Sequence, residues 1–145
     1  MATSPRYTAA GNVSSDSGTT MAPTLTTAAA DYTGVSANNK LVWTASANGG
    51  RIVGLKFTAI GTNTQSVARI YTNNGSANTT ASNNSLIGAL TLPGTTASNT
   101  VAEASASYYF EGGSLDLDPN FKLYVGLATT VAAGWVVTPI GAGEF

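Results

Sequence analysis

The stretch Lys40 to Ile60, KLVWTASANGGRIVGLKFTAI, decides how the chain folds. Two apolar runs flank Asn48-Gly49-Gly50, residues that accept the positive φ of a tight turn. Before the turn, Leu41 and Trp43 alternate with Val42 and Thr44. After it, Val53, Leu55, Phe57 and Ala59 share one face, and Ile52, Gly54, Lys56 and Thr58 the other. A period of two marks a half-buried strand. The stretch predicts a β-hairpin with Trp43 in the core and the remaining strands added around it.

Working toward the C-terminus, strands are expected at Gln65–Thr72, Ser85–Leu92, Val101–Phe110, Leu115–Leu117, Phe121–Ala128 and Gly134–Ile140. Between them stand the turn formers Asn73-Asn74-Gly75, Pro93-Gly94, Gly112-Gly113 and Asp118-Pro119-Asn120. Pro139 has no N–H for a ladder, which places the end of the last strand at a sheet edge. About seven or eight short strands at ~8–12-residue spacing predict an all-β fold, a single antiparallel β-sandwich of jelly-roll type.

Composition agrees. The 145 residues suit one domain, and only 9% of them are charged, against ~25% in an ordinary soluble domain. The polar surface is therefore Thr, Ser, Asn and Gly, which disfavour helix interiors. Net charge is -1, so no basic field holds a phosphate backbone and no nucleic-acid partner is expected. There are no cysteines and no histidines, which removes disulfides, thiolate metal sites and every Ser-His-Asp arrangement. The start, MATSPRYTAAG, lacks the basic and apolar regions of a signal peptide, and no apolar run approaches ~20 residues. A soluble chain made in a cytoplasm, with no membrane partner and no cofactor, is the expectation.

Residues 1–39 are low in complexity, with thinly spread anchors Tyr7, Val13, Met21, Leu25, Tyr32 and Val35. Short strands are expected around Thr24–Thr27 and Tyr32–Val35. So few large side chains offset little of the ~1–2 kcal/mol per residue lost on ordering backbone. The segment reads as an extended N-terminal arm docked on a neighbour, ahead of a β-domain at 40–145. Arg6, Tyr7, Leu25 and Tyr32 are its expected contacts, by strand addition to a sheet edge.

Asp116 and Asp118, in LDLDP, are the most closely spaced carboxylates; Glu103 and Glu111 lie further off. Two apart in a strand, they share a face, which suits a calcium ligand pair or a glycosidase pair. The plainer reading is a solvated face running into a Pro-Asn turn, and it is preferred: no metal and no catalysis are expected. Arg69 sits between Val67 and Tyr71, either packing its stem on the strand face or reaching an interface ion pair. Tyr108-Tyr109-Phe110 must place rings on both faces of a sheet, one in the core and one on the wet side or at a contact. Exposed rings at Tyr108, Tyr109 and Trp135 would suit a carbohydrate-binding face. The four glycosylation-type patterns, beginning at Asn12, Asn74, Asn78 and Asn83, follow from composition.

From Lys40 on, the order NGGRI, SVARIYTNNG, LIGALTLPG and SLDLDPNFKLYVGLATTVAAGWVVTPIGAGEF resembles small virion structural proteins of tailed bacteriophages and prophages. The matching positions are Arg69, Tyr71, Asn74, Gly75, Leu115, Leu117, Pro119, Leu123, Gly126, Trp135 and Phe145. The resemblance implies a non-enzymatic β-sandwich that assembles with copies of itself and with other virion proteins. On that footing the expected function is a capsid decoration (cement) protein, placed on the capsid surface and bridging subunits of the phage major capsid protein. A homo-oligomer is implied, with a trimer favoured by the three-fold points such proteins occupy. A tail-associated or carbohydrate- and receptor-binding module is the alternative. Arg69, Tyr108 and Tyr109 join the arm residues as expected interface positions.

Overall fold

The computed structural model describes residues 6–13 and 20–145. Twelve strands form within them: β1 Arg6–Tyr7, β2 Thr24–Leu25, β3 Lys40–Thr44, β4 Gly50–Ile52, β5 Gly54–Ala59, β6 Ser66–Asn73, β7 Asn84–Leu92, β8 Ser105–Tyr109, β9 Leu115–Leu117, β10 Lys122–Leu127, β11 Trp135–Ile140 and β12 Gly143–Glu144. Two single-turn 3-10 segments, Ala81–Asn83 and Glu111–Gly113, are the helical content of the described residues. The strands make three four-stranded antiparallel sheets, ordered β3-β10-β6-β7, β2-β11-β5-β8 and β1-β12-β4-β9.

The last two sheets continue into each other. Val53, between β4 and β5, donates to the Ile140 carbonyl and accepts from the Phe110 amide, so the ladder runs through the break. Twelve strands replace the expected seven or eight because long strands are interrupted at Val53 and at Gly141-Ala142, and because short pairings form near the N-terminus. One apolar cluster is shared by all three sheets, including Val42, Trp43, Ile70 and Val125 from the first, Leu25, Phe57, Trp135 and Val137 from the second, and Ile52 and Leu117 from the third. The arrangement is sandwich-like.

The expected hairpin at 40–60 does not form. β3 pairs with β10, whereas β4 pairs with β9 and β12, and β5 with β11 and β8. The turn itself is present: Gly49 has φ of 82°, and the Ser46 hydroxyl accepts from Asn48 N–H and donates to Gly49 O. What differs is where the chain goes. Ala45 donates to Phe121 O and Ser46 O accepts from Asn120, which extends the β3–β10 pairing up to the turn. Gly50 then joins Leu117 and Glu144 on the other side of the core. A Cβ at Gly49 would lie 2.8 Å from Leu117 O, so the crossing itself requires glycine there.

The period-two reading succeeds for burial all the same. Leu55, Phe57 and Ala59 are buried, and Trp43 is 0% exposed. Val42 is buried beside it, and Ile52 is buried whereas Val53, read on the inward face, is half-buried, so the strict alternation fails at both places. Pro139 sits on β11, an interior strand, opposite Leu55. Its other neighbour, β2, pairs only with Trp135 and Val136, and Val137 donates to Pro23 O. By alternation the Pro139 nitrogen faces beyond the end of β2, where the ladder asks for no donor.

The segment read as an arm lies, where it is described, against its own chain. Arg6 and Tyr7 pair with Glu144 and Gly143, and Thr24 and Leu25 pair with Val136 and Trp135. Thr44 donates to Val13 O, and Val13 is buried. Leu25, expected at a neighbour, is 2% exposed and part of the core. Residues 1–5 and 14–19 of the segment, with Ser14 of the Asn12 pattern, lie outside the described residues.

Leu25→Ala and Trp43→Ala are each expected to destabilise the fold, by ~2–5 and ~3–5 kcal/mol, the cost of large truncations in a packed core. Urea denaturation measures both. A Leu25→Ala midpoint equal to the parent would remove β2 from the cooperative unit.

Candidate interaction surface

The loop that follows Ala30 is built on one carboxylate. Asp31 accepts from the backbone N–H of Thr33 (3.0 Å), Gly34 (2.6 Å) and Ser36 (3.1 Å), an Asx-type turn. Its carbonyl accepts from Tyr71 Oη (2.8 Å) and Arg69 Nη1 (3.0 Å), which ties the loop to the outer face of β6. Arg69 also lies over the Tyr32 ring, 3.9 Å from its centroid. Two expected interface residues are thus each other's partners within the chain. Tyr32 nonetheless stays 69% exposed, so the stacked pair presents a ring to solvent. Burial raises the Tyr71 phenol above its ordinary pKa, with Asp31 adding to the shift.

At one end of the bent sheet, charges act as fasteners. Arg6 pairs with Glu144, whose side chain is 1% exposed. Arg51 grips both oxygens of Asp116, at 2.6 and 3.1 Å, and lies 5.6 Å from the Phe145 ring centroid. Asp116 is therefore occupied by an arginine, whereas the Asp118 carbonyl accepts from Phe121 in the turn. Asn120, at φ of 64°, completes that turn. Among the described residues no group of three His, Cys, Asp or Glu side chains is placed to hold a metal ion. Tyr7 and Phe145 line a shallow groove of about 220 Å³ with Arg51 and Glu144, both rings exposed.

A long run of the chain carries no charge. No charged residue occurs between Arg69 and Glu103, a span that holds all of β7. β7 is the end strand of its sheet, nine residues long, and pairs on one side only, with β6. β8 is likewise the end strand of the second sheet and is uncharged. The two edges meet at Gly88, where a Cβ would lie 2.4 Å from Tyr108 Oη. Tyr108 packs edge-on against buried Phe110, with ring centroids 5.4 Å apart, while Tyr109 points to the other face and is 60% exposed. The three-aromatic run divides between core and surface as its alternation demands. Trp135, a suspect for a sugar-stacking face, is 0% exposed and belongs to the core.

Of the expected contact residues, then, Tyr7, Tyr32 and Tyr109 are open, Arg6, Arg69 and Tyr108 are partly engaged within the chain, and Leu25 is buried. They do not converge on one patch: Tyr7 and Arg6 sit at the charged end, Tyr32 and Arg69 on the outer face of β6, and Tyr108 and Tyr109 on β8. Two fasteners escaped the sequence reading. Asp31 was hidden in a low-complexity run, although D-x-T-G is an Asx-turn pattern. Asn63, 4% exposed, accepts from Ala133 and Gly134 N–H and donates to Gly61 and Gly134 carbonyls, with no local pattern to announce it. The Asn-rich loop after β6 is similarly self-satisfied: Asn73 bonds Asn84, and Asn74 bonds Asn83.

Comparison with known proteins finds no family model, no curated relative and no solved structure that matches the chain. No helix in the described residues is long and apolar enough to cross a membrane.

Arg6 holds the Glu144 carboxyl below its ordinary pKa, and Arg51 does the same for Asp116. A carboxyl depressed in the folded state adds stability above its unfolded pKa and loses it as pH falls through the folded value. Stability should therefore decline with acidification below the ordinary glutamate value of ~4.3. Glu144→Gln should flatten that decline in pH-dependent urea titrations. Superimposable slopes for parent and variant would contradict the role given to the Arg6–Glu144 pair.

Proposed function

We propose that this chain is a non-enzymatic phage virion structural protein, a capsid decoration (cement) protein that bridges and stabilises major capsid protein subunits. The observation that carries the reading is the uncharged side formed by β7 and β8. A free-standing soluble domain guards long edge strands with charge, proline or a covering element. Here the charges sit elsewhere, and a nine-residue edge is left with only the irregularity near Ile70–Tyr71 of its pairing to blunt it. Such an edge suits a protein that spends its life covered by others. Interfaces are depleted of charge at their centres and enriched in tyrosine, in keeping with Leu86, Tyr108 and Tyr109 on this side.

The topology supports the family resemblance. Numbering β2, β3, β5, β6, β7, β8, β10 and β11 from one to eight, the two long sheets run 1-8-3-6 and 2-7-4-5. First pairs with last, second with seventh, third with sixth and fourth with fifth: a double ribbon rolled on itself. We read this as the jelly roll common in viral shells. On this reading the protein works as a homo-oligomer, a trimer favoured, on the capsid surface, with no cofactor, nucleic acid or membrane among its partners.

Leu86→Lys tests the reading, because it places a guarding charge on the outward face of β7. The variant should keep the parental stability within about 0.5 kcal/mol, as surface changes do. Its occupancy on virions from cells carrying the gene, measured by quantitative labelling, should fall at least about tenfold, a loss of ~1.4 kcal/mol. Unchanged occupancy, labelling of the tail alone, or a chain found only in the supernatant would overturn it.

A further inference from the structure

Between the bare edges β7 and β8 lies a cleft of about 290 Å³, near the lower end of ligand-sized pockets, ~300 Å³. Ile87, Tyr108, Phe110, Glu111, Ser114 and Leu115 line it. The walls are the Tyr108–Phe110 aromatic pair, and the rim is the Glu111-Gly112-Gly113 turn, whose glycines both have positive φ and open space around them. Three polar groups line the cleft, the Glu111 carboxylate and the Tyr108 and Ser114 hydroxyls, and none has a hydrogen-bond partner among the described residues.

The chemistry of the cleft is that of a cation site. Glu111 is its one charged lining residue, and unlike Asp116 and Glu144 it faces no arginine. The nearest cations along the strand pairing, Lys56 and Arg51, oppose Ser107 and Asp116, each on the other face of its sheet from the lining residues Tyr108 and Leu115. Aromatic ring faces are electronegative and attract ammonium and guanidinium groups, and a carboxylate strengthens the attraction by a charge-assisted hydrogen bond.

We propose that this cleft receives a lysine or arginine side chain of a partner protein, seated between the two uncharged edges. The inference rests on the reading that this side of the molecule faces an assembly partner. It adds the partner's chemistry: a basic side chain projecting from an otherwise neutral surface, with the ammonium or guanidinium held by Glu111 against Tyr108.

Titration of the full chain with Nα-acetyl-arginine amide, followed by amide chemical shifts, tests the site without any virion. Nα-acetyl-citrulline amide, the neutral isostere, and glucose serve as parallel probes. Saturable shifts at Ile87, Tyr108, Glu111 and Ser114 are expected with the arginine probe alone. Glu111→Gln, at an exposed position, should weaken binding by about fivefold or more. Equal response to citrulline, a response to glucose at these residues, scattered shifts, or a Glu111→Gln variant that binds as the parent does would each overturn the proposal. Any of these results would leave virion occupancy, and hence the decoration reading, to stand or fall by its own test.

Discussion

The structure depends on one contact across the core, between the Trp43 indole and the backbone of Gly50. A Cβ at Gly50 would lie 2.6 Å from Trp43 Cη2 and 2.6 Å from Gly143 O, so no larger residue fits. Trp43 belongs to the sheet of β3 and β10, and Gly50 to the sheet of β4 and β12. The indole thus fills the space between sheets at the point where the chain passes from one to the other. Its Nε1 donates to Thr8 Oγ1 (3.0 Å), which answers the one polar group such burial would strand and draws the N-terminal segment onto the domain. β3 and β4, on either side of this crossing, lie in different sheets. Strand after strand then alternates between sheets, and β6–β7 remains the one hairpin joining two consecutive long strands.

That constraint explains what was and was not legible in the sequence. Strand positions from β5 to β11, and the burial of Trp43, Leu55 and Phe57, follow from period two and from the turn residues, because both are local. The pairing of β3 was not legible. Asn48-Gly49 specifies a reversal of direction, but a reversal inside one sheet and a crossing between two use the same glycine. Only the distant partner, Phe121 to Leu127, decides between them. Leu25 was misread for a related reason: a single leucine in a Thr/Ala/Ser run has no periodic context, and its burial depends on Trp135, far along the chain. Asp31 has a local turn pattern that announces its own loop, but not the β6 side chains that its carbonyl holds, and Asn63 acts on a loop ~70 residues away, so nothing near it in the sequence reveals what it fastens.

Charge is distributed to match. All three arginines hold the chain to itself: Arg6 on Glu144, Arg51 on Asp116, and Arg69 on the Asp31 carbonyl and the Tyr32 ring. What they leave is β7 and its flanking loops, without a charge between Arg69 and Glu103, and β8, uncharged between Glu103 and Glu111. The candidate site was legible only in part. Tyr108 and Tyr109 stood out as aromatics in a strand, whereas the cleft beside them exists because consecutive strands end two different sheets and come together at Gly88.

The central claim is that the chain crosses the core between Trp43 and Gly50, with β3 laid on β10. Nuclear Overhauser effects in the full-length protein test it directly. The indole protons of Trp43 should show contacts to the Gly50 Hα protons, and the backbone of Trp43 to that of Leu123, its cross-strand partner. Backbone contacts between Lys40–Thr44 and Gly50–Ile52 in hairpin register, with no contact from Trp43 to Leu123, would contradict the account.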